Sequence, residues 1–402
     1  MGKNPDSSDI VWSVLLRRSA IFQLRLIRGL TFFLLLAGSA LPSAAARPVT
    51  ADQLEQMVAA AQGASDAEMA AKLSEVVLTQ RLSAARLVRC EANIPGPRAR
   101  QALRIMADMS SFLDLPAGEI PSLAKPNAKA QREMIALTVN YVSTTIHQLP
   151  NFFATRVTNT FQDNPALEDP KPGTNPRLVP NVFIIYKPMH PIGKYSASVL
   201  YRDGKEVAHA GTAQSGPQGL TTSGEFGPIL ATALLDGAQG NLAWSHWEQG
   251  TESPVAVFRF TVPAEKSHYD VAYCCIIKGN GDRVYYRQFS AYEGEITIDP
   301  SNGVVRRLLF KAVGLKETDP IVKADILVEY GPVELGGKTY ICPVKGIALS
   351  LASEIMPAQG RTVDAFPPLQ TSLNDVVFEQ YHLYHASSHI VPADKDEPPS
   401  NQ

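Results

Sequence analysis

The 402-residue chain has no basic run longer than a pair, no C-x-x-C, and no G-x-S-x-G, H-E-x-x-H or G-x-x-x-x-G-K motif. The first absence removes the electrostatic footprint of a nucleic-acid binder. The second removes a catalytic dithiol. The third leaves no nucleophile elbow, zinc-protease helix or phosphate loop on which to build an enzyme. Charge is also sparse, with 37 Lys and Arg against 39 Asp and Glu and a formal net charge of −2. Ahead of Arg47 stand five basic groups (Lys3, Arg17, Arg18, Arg25, Arg28) and two acids (Asp6, Asp9), so the remaining chain carries −5. At 45% hydrophobic residues, the chain can bury a large core.

What is present begins with an export pattern. Arg25 and Arg28 precede the apolar run "GLTFFLLLAGSAL", and "PSAAARP" supplies small residues for cleavage near Ala46. The run is too short for a comfortable membrane span. No cysteine follows it, which argues against a lipid anchor. The expectation is a periplasmic or extracellular protein with no membrane span after cleavage.

In an oxidising compartment the cysteines Cys90, Cys274, Cys275 and Cys342 become informative. Cys274 and Cys275 share the strand-like "YDVAYCCIIK", where adjacent side chains point to opposite faces, so one of them at most reaches a given neighbour. Cys342 in "KTYICPVKG" is the partner by elimination, because Cys90 lies in a helical stretch. The expected bridge is Cys275–Cys342, with Cys274 as the alternative. Buried free thiols are the competing reading.

The pattern changes period once. From Thr50 to His147 it is helical: Thr50 caps "ADQLEQMVAAAQ", which Gly63 stops, and Ser65 with Glu68 forms a capping box. Leu73, Val76, Val77, Leu87 and Val88 continue that second helix as an apolar stripe. A last helix places Met134, Leu137 and Tyr141 on one face. From Leu149 alternation takes over, with a strand at "LPNFFATRVTNTFQD", another at "NVFIIYK", and a hairpin folded at "RDGK". The stretch "AYEGEITIDPSNGVVRRLLFKAV" is a second hairpin, its turn written in Asp299, Pro300, Asn302 and Gly303. "TTSGEFGPILATALLDGAQGN" is the one helical interruption, capped by Ser223 or Thr222, turning Ile229, Leu230, Ala233 and Leu234 inward and ending at Gly237. The fold class is α+β: an N-terminal helical segment, then a large curved antiparallel half-barrel with one inserted helix. The boundaries are 1–46 (signal), 47–148 (helical), 149–391 (sheet) and 392–402 (disordered tail).

This order, with the run "GEITIDPSNGVVRRLLF" and the block "VEYGPVELGGKTYICPVKGIALS", resembles the half-barrel periplasmic carriers of the lipoprotein-localisation type. The blocks "TSGEFGPIL", "WSHWEQG", "VFRFTVP", "KSHYDV" and "YICPVKGIALS" are similar to those of uncharacterised secreted bacterial proteins. The first resemblance implies a concave sheet that holds an apolar cargo. The long helical lead-in and the extra strands depart from it. Neither resemblance implies a catalytic residue.

Candidate site residues are few. Trp244 and Trp247 flank Ser245, His246 and Glu248 in "AWSHWEQG" and offer broad apolar contact with a polar handle. Ser245 and His246 are strand neighbours that point apart, which argues against a nucleophile and base. His382, His385 and His389 would gather a metal on a helix but face both sides of a strand. His268 and Tyr269 read as a turn entering a strand. Glu293, Glu295, Asp325 and Glu329 are scattered acids.

The leading expectation is an exported, non-catalytic carrier without metal or cofactor. It would hold a hydrophobic small molecule, lipid or peptide segment against Trp244, Trp247, Ile229 and Leu230. An envelope interaction module with the sheet as scaffold is the alternative, and a hydrolase comes third.

Overall fold

A computed structural model describes residues 46–145, 148–163, 187–207, 216–277, 281–316, 319–353 and 369–384. The export segment, the strand at "NVFIIYK", His385, His389 and the C-terminal tail lie outside them. By its contacts the described part of Pro48–Gln402 is one compact unit.

The helical region starts as its caps dictate. Helix α1 (Ala51–Ala60) and helix α2 (Asp66–Ser74) both begin with capping boxes, Thr50 with Gln53 and Ser65 with Glu68. The Ser65 hydrogen bonds hold the Glu68 carboxyl below its usual range. The stripe expected to carry α2 onward is corrected. The chain leaves the helix after Ser74, and Val76–Leu78 forms β2, which pairs with β1 (Arg47–Val49). Two adjacent β-branched valines favour that extended pairing over a further helical turn. Val88, expected on the apolar stripe, is 66% exposed on α3 (Ala84–Glu91). Helix α4 (Pro97–Ser110) then packs Ala99, Leu103 and Met106 into a core shared with Leu54, Val58, Met69 and Leu73. Helix α5 (Ala128–Asn140) runs into a π-helical turn at Tyr141–Thr145.

Strands β3 (Phe152–Gln162), β4 (His190–Arg202), β5 (Lys205–Val207), β6 (Gly219–Leu220), β7 (Asn241–Gln249), β8 (Pro254–Val262), β9 (Asp270–Ile277), β10 (Arg283–Phe289), β11 (Ala291–Ile298), β12 (Val305–Val313), β13 (Ile321–Leu335), β14 (Lys338–Ala352) and β15 (Gln370–Leu383) follow. Ten of them form one antiparallel sheet in the order β5-β4-β3-β15-β14-β13-β12-β11-β8-β7. The sheet does not close, and β5 and β7 are its edges. The α+β class therefore holds. Two features break a simple meander. The last strand, β15, inserts between β3 and β14, and β9 and β10 leave to form a small sheet in the order β10-β9-β6.

Both expected hairpins form. Asp203 (φ 53°) and Gly204 (φ 75°) turn β4 into β5. Between β11 and β12, Asp299 Oδ1 accepts from Ser301 N at 3.0 Å and Asn302 Oδ1 from Val304 N at 2.9 Å. Gly303 there has φ 74°, and a Cβ on it would stand 2.3 Å from the Leu137 carbonyl carbon of α5. Only glycine lets that turn lie against the helix.

Alternation sends the two sides of each strand into different layers. Leu308, Phe310, Ile326, Val328 and Ala348 join the core under the inserted helix α6 (Pro228–Gln239) and the small sheet. Leu309, Leu327, Ile347 and Leu349 pack on the opposite face with Ile105 of α4 and Phe112. Helix α6 starts and ends later than expected: Gly227 and Pro228 form its N-terminus without a side-chain cap, and Gly240 rather than Gly237 closes it.

Candidate functional site

Ile229 and Leu230 enter the same cluster as Phe258, Phe260, Tyr273, Tyr292 and Phe310, and Leu230 is 2% exposed. Trp244 and Trp247 lie half-buried against that cluster, ring centroids 4.9 Å apart in an edge contact. Trp244 also meets Phe258 edge-on at 5.5 Å, and Trp247 Nε1 donates to Ala124 O at 3.0 Å. The structure thus brings all four expected ligand residues together. What they contact is the chain's own interior and the linker before α5.

The cross-strand disulfide is corrected. Cys274 and Cys275 are bonded to each other, while Cys342 is free and buried with Phe152, Tyr201 and Phe226. The elimination failed because β9 belongs to the small sheet and β14 to the large one, so the two strands are not neighbours. The cysteine pair falls where β9 carries an extra residue between its partners Val284 and Tyr286 on β10. Burial pushes the Cys342 thiol up to about 12 and the Cys90 thiol up to about 11, which keeps both protonated and unreactive.

The polar chemistry gathers on the other face, along the seam between the helical region and β7, β8, β11 and β12. An irregularity in β7 creates it. The register passes from Trp244↔Phe258 to His246↔Val257, so Ser245 is the extra residue of a bulge on an edge strand. Ser245 Oγ and His246 Nδ1 share a hydrogen bond of 2.8 Å, and His246 Nε2 donates to Glu248 Oε1 at 3.1 Å. The expectation that these neighbours point apart is therefore overturned by the bulge. Glu248, 5% exposed, also accepts from Arg81 Nη2 at 2.5 Å and from both terminal nitrogens of Arg307 at 2.8 and 3.0 Å. Burial raises the Glu248 carboxyl, but the His246 hydrogen bond and the Arg307 and Arg81 guanidiniums outweigh it and hold it far below the usual carboxylate range.

Arg259 continues the seam, bonded to Glu295 at 2.7 Å and to Asp114 of the helical region. With Glu293, Gly294 and Lys311 these line a cleft of about 310 Å³. A second cleft, about 360 Å³, lies between Arg100, Arg104 and Asp108 of α4 and Asn159, Phe161 and Asp375 of the sheet. Asp108 is also bonded by Lys345 of β14. Ser245, His246 and Glu248 stand in the order of nucleophile, base and orienting acid. Neither cleft is lined by Ser245 or His246, however, and Glu248 is committed to two guanidiniums. The trio and its arginines join the helical region to the sheet.

Sequence reasoning missed a further cluster. Asp236 of α6, fully buried, accepts from His268 N at 2.9 Å and Tyr292 OH at 2.9 Å, and its other oxygen meets His268 Nδ1 at 2.6 Å. A lone acid on the apolar face of "PILATALLDG" is the signal that could have found it, since a buried carboxylate requires donors. Asp325 is buried beside Lys323 at 3.4 Å, and His382 is exposed on β15. Among the described residues no three His, Cys, Asp or Glu side chains group to hold a metal ion. No family model, curated protein or solved structure matches the chain.

Proposed function

We propose that the chain is an exported protein-interaction module in which the curved sheet is scaffold and not container. The observation that carries this reading is the packing of Ile229, Leu230, Trp244 and Trp247 against the chain's own core. An apolar ligand on that face would have to displace α6 and replace contacts already made by aromatic rings, at about 25 cal/mol per Å² of apolar area re-exposed. The polar seam serves the same reading from the other side. It fixes the helical region on the sheet through Arg81–Glu248, Arg259–Asp114 and Lys345–Asp108.

Export rests on Arg25, Arg28, the apolar run after them and the small residues before Arg47. Native mass spectrometry of the full chain purified from the cell envelope tests the scaffold reading. The mass of the polypeptide alone, starting near Arg47, is the expected result. A stoichiometric lipid-sized adduct would contradict the scaffold, and retention of Met1 would contradict cleavage.

A further inference from the structure

Strand β10 is the edge of the small sheet: among the described residues it pairs with β9 on one side and with no strand on the other. Its sequence, "RVYYRQF", alternates cleanly. Val284 and Tyr286 point into the core, while Arg283, Tyr285, Arg287 and Phe289 face outward. Tyr285 is 45% exposed and Phe289 63%, the largest exposure of any aromatic among the described residues. Arg287 is held by Asp270 through both Nε, at 2.9 Å, and Nη2, and no ion-pair partner is found for Arg283 among the described residues. Seven residues at about 3.3 Å each make a stripe roughly 20 Å long, positive and aromatic by turns.

Exposed edge strands are ordinarily shortened, covered or bent away, because their free N–H and C=O groups invite another strand. Here the edge keeps its alternation over seven residues even though β9 bulges opposite Val284 and Tyr286, and its outward face carries the side chains that dominate recognition surfaces. We propose that β10 is a docking strand for an extended acidic peptide segment of a partner protein. The partner's backbone would pair with the edge that no described strand covers, its carboxylates would meet Arg283 and compete with Asp270 for Arg287, and its apolar residues would cover Tyr285 and Phe289. An anionic membrane could use the arginines and rings but has nothing to match the backbone edge, so the peptide is the occupant that uses every feature of the strand.

The inference rests on the interaction reading above, and its test is separate from the mass measurement. An end-capped fluorescent octapeptide of alternating glutamate and valine is titrated with the full chain, alongside the lysine–valine counterpart and phosphatidylglycerol vesicles. Saturable binding of the glutamate peptide alone is expected, weakened about tenfold or more in Arg283→Glu/Arg287→Glu. Tyr285→Ser/Phe289→Ser, which removes exposed rings, should weaken it at least severalfold with unchanged thermal unfolding. Absence of binding, equal binding of both peptides, or binding unchanged in the charge-reversed variant would overturn the proposal. So would binding of the vesicles in place of the peptide, or a dimer of the chain that the same substitutions dissolve. A failure here with an unliganded native mass leaves the scaffold reading standing.

Discussion

The two faces of the ten-stranded sheet are held by different physics. Under α6 and the small sheet the contacts are apolar and aromatic, with Phe260, Tyr269, Tyr292 and Phe310 meeting edge to face. Toward the helical region the apolar contacts thin out, and buried ion pairs centred on Glu248 take over. The first face is tolerant of exchange among apolar residues of like volume, because dispersion and burial are non-directional. The second depends on each partner being present, because a buried charge without its counterion is costly.

Removing Glu248 should break that contrast most sharply. Glu248→Ala leaves Arg81 and Arg307 buried and facing each other, and a loss of about 3–5 kcal/mol is expected from urea unfolding. On the apolar face, Leu230→Ala should cost about 2–5 kcal/mol by opening a cavity, whereas Leu230→Met should cost less than about 1.5 kcal/mol. Gly294→Ala examines how tightly that face is filled. A Cβ there would lie 2.3 Å from the Phe260 ring, so roughly 1–3 kcal/mol of overpacking should appear as a lowered Tm.

A titratable contact lies at the β5 edge of the sheet. Glu206 on β5 is pushed up from 4.5 to about 7 by burial and by Glu225, against the pull of Arg156. Its folded form binds the proton more tightly than its unfolded form. Stability is therefore fullest below about 4.5, falls as pH rises toward about 7, and is level above it. About 3 kcal/mol of such pH dependence should vanish in Glu206→Gln, read as flattened unfolding midpoints between pH 4.5 and 7. The smallest effect belongs to the Trp247 indole: Trp247→Phe loses one hydrogen bond to Ala124 O and should cost about 0.5–1.5 kcal/mol.

Much of this is legible in the sequence. Hairpin turns at Asp203-Gly204 and Asp299–Gly303 and the caps at Thr50 and Ser65 are local chemistry, and local chemistry is written in adjacent letters. The antiparallel sheet followed from alternation. What could not be read was non-local or broke a period. The Cys274–Cys275 bond depends on which sheet β9 joins. The Ser245–His246 contact depends on one inserted residue in β7, which turns a rule about opposite faces into its reverse. Glu248 stood among the tryptophans as an ordinary polar residue, since Arg81 and Arg307 lie 167 and 59 positions away in sequence.

The scaffold account meets its most direct trial in titrating the folded full chain with N-phenyl-1-naphthylamine, a dye that brightens in dry apolar cavities. With α6 filling the sheet's inner face, no saturable fluorescence rise is expected from the wild-type chain. A one-to-one rise, abolished by Ile229→Trp in a chain that still unfolds cooperatively, would contradict the account.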